Sequence, residues 1–255
     1  MIDFIKKEAS CCLFPVLLFG AMFVTKYVHI PHLYRYDLLL ILAIIFQIAL
    51  IVTGYETWQE VKVILIFHVV GLILEIFKTS IGMWAYPEPA YTKILGVPLY
   101  SGFMYSSVGS YIFRAWKVFD LQFESWPKKL SVVVLCIAIY LNFFTHHFIW
   151  DLRYIIIAAT VIIFWKTKVF FVLKDRVHYM YMNMAFLFIG IALWVAENIS
   201  TFFSAWKYPN QRMGWHLVGL GKISSWGLLV ILSIALVYYS IEKHGDWGIK
   251  NVRKL

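Results

Sequence analysis

The chain has 255 residues, of which 62% are hydrophobic, 19% aromatic and only 15% charged, with a net charge of +9. This composition lies far outside that of soluble domains and excludes a disordered chain or an ordinary water-soluble enzyme. The basic residues sit between apolar runs rather than on one contiguous face, which excludes nucleic acid as a partner and fits orientation in a membrane.

Apolar stretches of about 17 to 25 residues can cross roughly 30 Å of hydrocarbon as helix. They fall near 10–28, 36–53, 62–84, 97–117, 130–148, 152–172, 178–204 and 215–240. The first follows Lys6 and Lys7 but lacks a small-residue cleavage site, so it is expected to be a retained helix. Between it and the second lies "HIPHLYRY" (His29 to Tyr36). The third carries His68 and then "EIFKTSIGMWAYP", in which Glu75 lies inside an apolar run that ends in Trp84, Tyr86 and Pro87. At 1.5 Å rise per residue, Glu75 lies roughly 13 Å below the level of Trp84. A carboxylate there requires hydrogen bonds, a partner charge or water. Thr79, four residues on, is expected to hydrogen-bond it and Lys78, at i+3, to pair with it. Trp84 and the proline read as an interfacial anchor and a helix stop. In the fourth run Gly102, Ser106 and Ser110 form a small-residue stripe for close helix packing.

The fifth run ends in "NFFTHHFIWDLRY" (Asn142 to Tyr154), the densest polar cluster. Asp151 is expected to orient His147 for acid/base work, or to pair with Arg153 or Arg35 at the rim. Together with His146 the cluster has the residue types of a metal site but no metal-ligand spacing, so neither metal nor cofactor is expected. Lys166 and Lys168 interrupt the sixth run, which leaves a seven-span alternative. The seventh carries "ENISTFFSAWKYP", with Glu197, Thr201, Trp206 and Tyr208, and the eighth carries Lys222, for which Glu197 is the expected partner. Cys11, Cys12 and Cys136 give no disulfide framework.

Both glutamate stretches fit E-x3-T-x4-W-x-Y-P at an offset of 122, and "HIPHLYRY" aligns with "HFIWDLRY" at an offset of 118. Two ordered echoes at nearly one spacing predict an internal duplication. The expected architecture is all-α: a membrane helix bundle of about eight spans, arranged as parallel four-helix repeats over 1–122 and 123–244 with a basic cytoplasmic tail over 245–255. With the N-terminus inside, 15 of the 23 Lys and Arg residues fall on the inner side. Both termini are therefore expected in the cytoplasm, and all four repeated motifs on the outer face.

"EIFKTSIGMWAYPEPAYTKILGVPLYSGFMYSSVGSY", "FFTHHFIWDLRY" and "AENISTFFSAWKYPNQ" resemble the YoaT-like family of bacterial multi-pass membrane proteins. That resemblance implies a protein of the inner membrane and supplies no activity. A fainter similarity, carried by Glu75, Gly82, Trp84, Tyr86 and Gly96 to Leu99, is to membrane carotenoid cyclases and hydratases, and it implies intramembrane carboxylates that protonate a polyene.

Two functions remain open from the sequence. One is an intramembrane enzyme acting on a lipid or isoprenoid, with Glu75 or Glu197 as proton donor, His147 and Asp151 as basic partner, and His29, Arg35, Lys78, His146, Arg153, Trp84, Trp206 and Lys222 around the substrate. The other is a proton-coupled transporter, for which paired intramembrane acids are a natural arrangement. A membrane protein without turnover is the third alternative, and oligomeric state is not legible.

Overall fold

The computed structural model describes residues 2–243, so the expected basic tail over 245–255 lies outside the described residues. Among these residues, helices run in the order α1 (Ile2–Cys11), α2 (Leu13–Tyr27), α3 (Arg35–Val52), α4 (Trp58–Ser80), α5 (Tyr100–Phe119), α6 (Lys129–Thr145), α7 (Arg153–Ile163), α8 (Met182–Phe202) and α9 (Lys222–Lys243). Short strands join them: β1 (Lys93–Ile94), β2 (Val97–Pro98), β3 (Gln122–Glu124), β4 (Lys168–Leu173) and β5 (Arg176–Tyr181). The chain is thus mostly helical, as its apolar runs dictate. By length and composition, α3, α8 and α9 are able to cross a membrane, and α1 with α2, bent by 67° at their break, make a fourth if taken as one span.

Packing divides the chain into two compact units. One, Cys11–Tyr111 with Ala196–Val218, holds both glutamate motifs and is called here the glutamate unit. The other, Met1–Ser10 with Ile112–Val195 and Gly219–Leu255, holds β3, β4 and β5 and is called the sheet unit.

In the glutamate unit, one buried cluster gathers Met22, Tyr36, Leu39, Tyr86, Val97, Tyr100, Ala205 and Trp206. A second joins Phe14 and Leu18 of α2 to Ala43 and Leu50 of α3. Helix α4 starts at a capping box in which Thr57 and Glu60 satisfy each other's backbone N–H groups. The stripe on α5 packs against α4 as expected. Any Cβ at Gly102 would lie 2.5 Å from the His68 ring, and one at Gly71 would lie 2.2 Å from Tyr105. Gly71 therefore lets the Tyr105 ring lie directly on the α4 backbone.

The sheet unit has an aromatic centre in which Trp126 stacks on Tyr238 at 3.9 Å and meets Phe123 and Phe164 edge-on. Here the sequence expectation needs correction. The run 152–172 is not one helix: α7 stops at Ile163, and Lys168–Leu173 becomes β4, paired with β5 along its whole length and with β3 on its other edge. Val169 and Val172 are β-branched and Phe170 and Phe171 aromatic, types that suit a pleated surface. Lys174 and Asp175, both at positive φ (46° and 61°), close the hairpin in the manner of a two-residue type I′ turn.

Candidate functional site

The repeated glutamate motif is a folding unit. Helix α4 ends with Gly82 in the left-handed region (φ 75°), where the Gly82 N–H bonds to the Thr79 carbonyl and the Met83 N–H to the Lys78 carbonyl. That is the paired bonding of a Schellman stop. Helix α8 ends the same way: Ser204 (φ 57°) bonds to Thr201 and Ala205 to Ser200. Each stop turns the chain back along its own helix. The two returning stretches then meet, because Ala85 and Lys207 exchange both backbone hydrogen bonds at 2.9 Å.

This return brings each tyrosine back to its glutamate. Tyr86 donates to Glu75 Oε2 at 2.7 Å, Trp84 Nε1 donates to the same oxygen at 2.6 Å, and Tyr105 donates to Oε1 at 2.7 Å. Tyr208 donates to Glu197 Oε1. Glu75 and Tyr86 are thus separated by the same eleven residues as Glu197 and Tyr208. The Trp84 and Tyr208 rings meet edge-to-face at 5.9 Å, which joins the two halves of the cage. Both glutamates are buried, each 4% exposed.

Burial pushes the Tyr86 phenol well up, and the charge of neighbouring Glu75 adds to the rise. Burial likewise pushes up Tyr208, followed by the charge and hydrogen bond of Glu197, with the charge of Glu75 contributing as well. Both phenols therefore keep their protons and act as donors, which leaves the carboxylates as the acceptors of the cage. An ionised carboxylate offers about four lone-pair sites, and three donors already reach Glu75.

The threonines behave otherwise than expected. Among the described residues the buried Thr79 hydroxyl has no hydrogen-bond partner, and Thr201 donates to the Asn198 carbonyl while accepting from Trp215 Nε1 at 3.2 Å. Their spacing places them on the right face, but the returning tyrosines take the hydrogen-bonding role. Lys78 is buried, with its ammonium 5.9 Å from the Phe77 ring. Trp206 is buried in the core of the unit. Arg35 bonds to Glu88 at 2.6 Å, to the Phe203 carbonyl at 2.6 Å and to the Ser204 carbonyl at 3.2 Å, tying the start of α3 to the stop of α8. His29 is exposed.

The remaining site residues named from sequence belong to the sheet unit. The His146 and His147 rings lie 3.8 Å apart, and His146 Nδ1 is 2.6 Å from the Asn142 carbonyl. Asp151 accepts from Asn142 at 3.2 Å and from the Arg153 backbone at 2.9 Å, and pairs with the Arg153 guanidinium at 3.3 Å. Lys222 opens α9. Among the described residues, no group of three or more His, Cys, Asp or Glu side chains is placed to hold a metal.

Sequence reasoning missed five participants. Tyr105 carried no signal beyond its place in an apolar run. Asp37, buried in the first turn of α3, accepts from the Tyr91 and Thr92 backbone and from the Thr92 hydroxyl. Glu56, also buried, accepts from Gln47 and Ser110. Glu88 anchors Arg35, while Lys93 fixes the loop between them by donating to the Tyr86 and Glu88 carbonyls. An acid within one turn of a span end was the available signal for Asp37 and Glu56.

The chain belongs to the family described as "Protein of unknown function (DUF817)", whose model matches residues 1–234. It is 48% identical over 231 residues to "Uncharacterized protein YoaT" of Bacillus subtilis (strain 168), covering 91% of this chain and 88% of that protein. The YoaT-like membership indicated by the motifs is thereby shown. No solved structure matches.

Proposed function

We propose that this chain is an integral protein of the inner membrane, with both termini in the cytoplasm, in which Glu75 and Glu197 form a proton-handling site towards the outer face. On this reading it is an enzyme performing acid/base chemistry on a lipid or isoprenoid, with Glu75 or Glu197 as the proton donor. The observation carrying the reading is that both buried glutamates lie in one unit, each bonded by a tyrosine from its own returning W-x-Y-P stretch, with the two stretches paired through Ala85 and Lys207. Eight crossings in two parallel repeats belong to the same reading. Support for the repeat comes from the matching helix stops at Gly82 and Ser204, 122 residues apart.

The paired acids also favour a second reading, a proton-coupled transporter. One pair of variants separates the two. Glu75→Gln and Glu197→Gln keep the shape of the side chain and remove the titrating oxygen. In membranes carrying an enzyme, each variant should lower formation of the lipid product by on the order of 10²-fold or more, with the protein still folded. Lipid profiles unchanged between wild type and both variants, together with proton-linked uptake in liposomes that Glu75→Gln abolishes, would replace the enzyme by the transporter. Wild-type function retained in both variants would remove the glutamates from either role.

A further inference from the structure

A second surface, in the sheet unit, has no part in the glutamate site. Strands β4 and β5 pair with Lys168 opposite Tyr181, Phe170 opposite Tyr179 and Val172 opposite Val177, which places these six side chains on one face of the hairpin. The face is open: Val177, Tyr179 and Tyr181 are 66%, 56% and 49% exposed. Lys168 Nζ lies 5.2 Å over the Tyr179 ring. Around the hairpin stand exposed Trp165, Lys166, Lys174 and Arg176, the last opposite Leu173 and so on the other face, and the side chains of these three basic residues meet no partner among the described residues. Between Phe164 and Tyr181 the sequence holds four Lys and Arg residues and one acid, Asp175, and Lys168 pairs with Glu124 of β3 at 3.7 Å, which leaves Lys166, Lys174 and Arg176 as the open charges.

Two features fix what lies against this surface. Tyr181 runs without a break into α8, one of the helices long and apolar enough to cross a membrane, so β5 stands where that helix would enter the bilayer. Helix α1 docks on the same hairpin: Lys7 Nζ donates to the Val172 carbonyl at 2.8 Å, and the Lys174 backbone N–H donates to Asp3 at 3.1 Å. It leaves Ile2, Ile5 and Lys6 exposed. Tyrosine and tryptophan rings settle at headgroup level, and a cluster of Lys and Arg beside a span is attracted to anionic headgroups.

We infer that the β4–β5 hairpin, together with α1, is a docking surface for anionic phospholipid headgroups of the bilayer, selected by Lys166, Lys174 and Arg176. The occupant is lipid because the basic groups alternate with aromatic rings suited to the membrane boundary and adjoin a membrane helix, whereas a soluble anion would gain nothing from the rings. Each basic residue near a charged surface contributes about a fivefold factor in affinity, and salt screens it.

The test uses the full chain purified in mild detergent and equilibrated with equal amounts of phosphatidylglycerol and phosphatidylcholine of matched acyl chains, with the retained lipids quantified. Phosphatidylglycerol should be retained at least tenfold over phosphatidylcholine, and the ratio should fall in high salt. The triple variant Lys166→Gln, Lys174→Gln, Arg176→Gln should lose most of that ratio, while Lys166→Arg, Lys174→Arg, Arg176→Lys should keep it. Because a ratio is read within one protein, a change in stability alone does not move it. Equal retention by the wild type, an undiminished ratio in the glutamine variant, or loss of the ratio in the charge-keeping variant would overturn the inference. So would its abolition by inorganic phosphate at unchanged ionic strength, which marks a phosphate pocket instead of a lipid surface.

Discussion

The two echoes in this sequence reach very different degrees of likeness in three dimensions. Around Glu75 and Glu197, helix stop, returning stretch and tyrosine-to-carboxylate bond all recur with the same spacing. Around Arg35-Tyr36 and Arg153-Tyr154 they do not. Tyr36 is fully buried in the core of the glutamate unit, whereas Tyr154 is 77% exposed. Arg35 holds Glu88 and carbonyls from distant parts of the chain, while Arg153 holds Asp151, two residues before it, and among the described residues its other contacts, to Gly221 and Ser224, are long at 3.5 Å. A motif that encodes backbone bonding, such as a Schellman stop followed by a proline, dictates its own geometry. A motif that shares only side-chain types takes whatever partners its surroundings offer.

The largest expected difference lies between the two arginines. Arg35→Met strands Glu88 and the Phe203 and Ser204 carbonyls; with the arginine 11% and the glutamate 32% exposed, losing this half-buried pair and both carbonyl bonds should cost about 2–3 kcal/mol. Arg153→Met removes a more exposed pair, 21% and 37%, with further contacts only at 3.5 Å, and should cost no more than about 1 kcal/mol. Unfolding of the two variants in detergent, followed by heat or denaturant, measures both. Equal losses would mean that the two arginine corners are equivalent after all.

A smaller effect sharpens the likeness of the glutamate motifs. Gly82 and Ser204 occupy the same left-handed position, but only Gly82 has the residue that favours it. Open space surrounds a Cβ built at Gly82, so Gly82→Ala carries a backbone penalty of about 1–2 kcal/mol without a clash. Ser204→Gly should instead raise stability by up to about 1 kcal/mol. Opposite signs in the same unfolding assay would establish the equivalence of the two stops, and loss of stability in both would break it.

How much of this was legible depended on what carried the signal. The helices were visible because apolar runs interrupted by charge and proline leave the backbone few alternatives, and the E-x3-T-x4-W-x-Y-P pattern located both glutamates and their tryptophans. The pattern misassigned the partner of the carboxylate. Helical spacing pointed to Thr79, while the donors came from beyond the helix stop and, in Tyr105, from another helix, contacts that no local period encodes. The sequence divides the β4–β5 hairpin between the end of one expected span and the start of the next, because a short apolar run carries no period that separates a strand from a buried helix. Lys174-Asp175 conceals the turn further, since neither residue is the glycine that usually announces positive φ.

The smallest effect concerns Asp151, and it tests whether the arginine corner of the sheet unit is held by charge at all. Burial is the largest single influence and raises its pKa, but the hydrogen bonds from the Arg153 backbone and Asn142, with the positive charges of Arg153 and His146, together outweigh it and hold the carboxyl below the usual carboxylate range. A folded pKa below the unfolded value means that the unfolded chain binds more protons in acid. The stabilisation is therefore fully present above the unfolded value of 3.8 and fades as pH falls through the folded one. The stability gap between wild type and Asp151→Asn should be constant from neutral pH down to about pH 5 and close below about pH 4, and it should be small because the side chain is 37% exposed to screening solvent. A gap that stays open in acid would show that packing of the side chain, rather than its charge, holds the corner, and the contrast with Arg35 would then rest on burial alone.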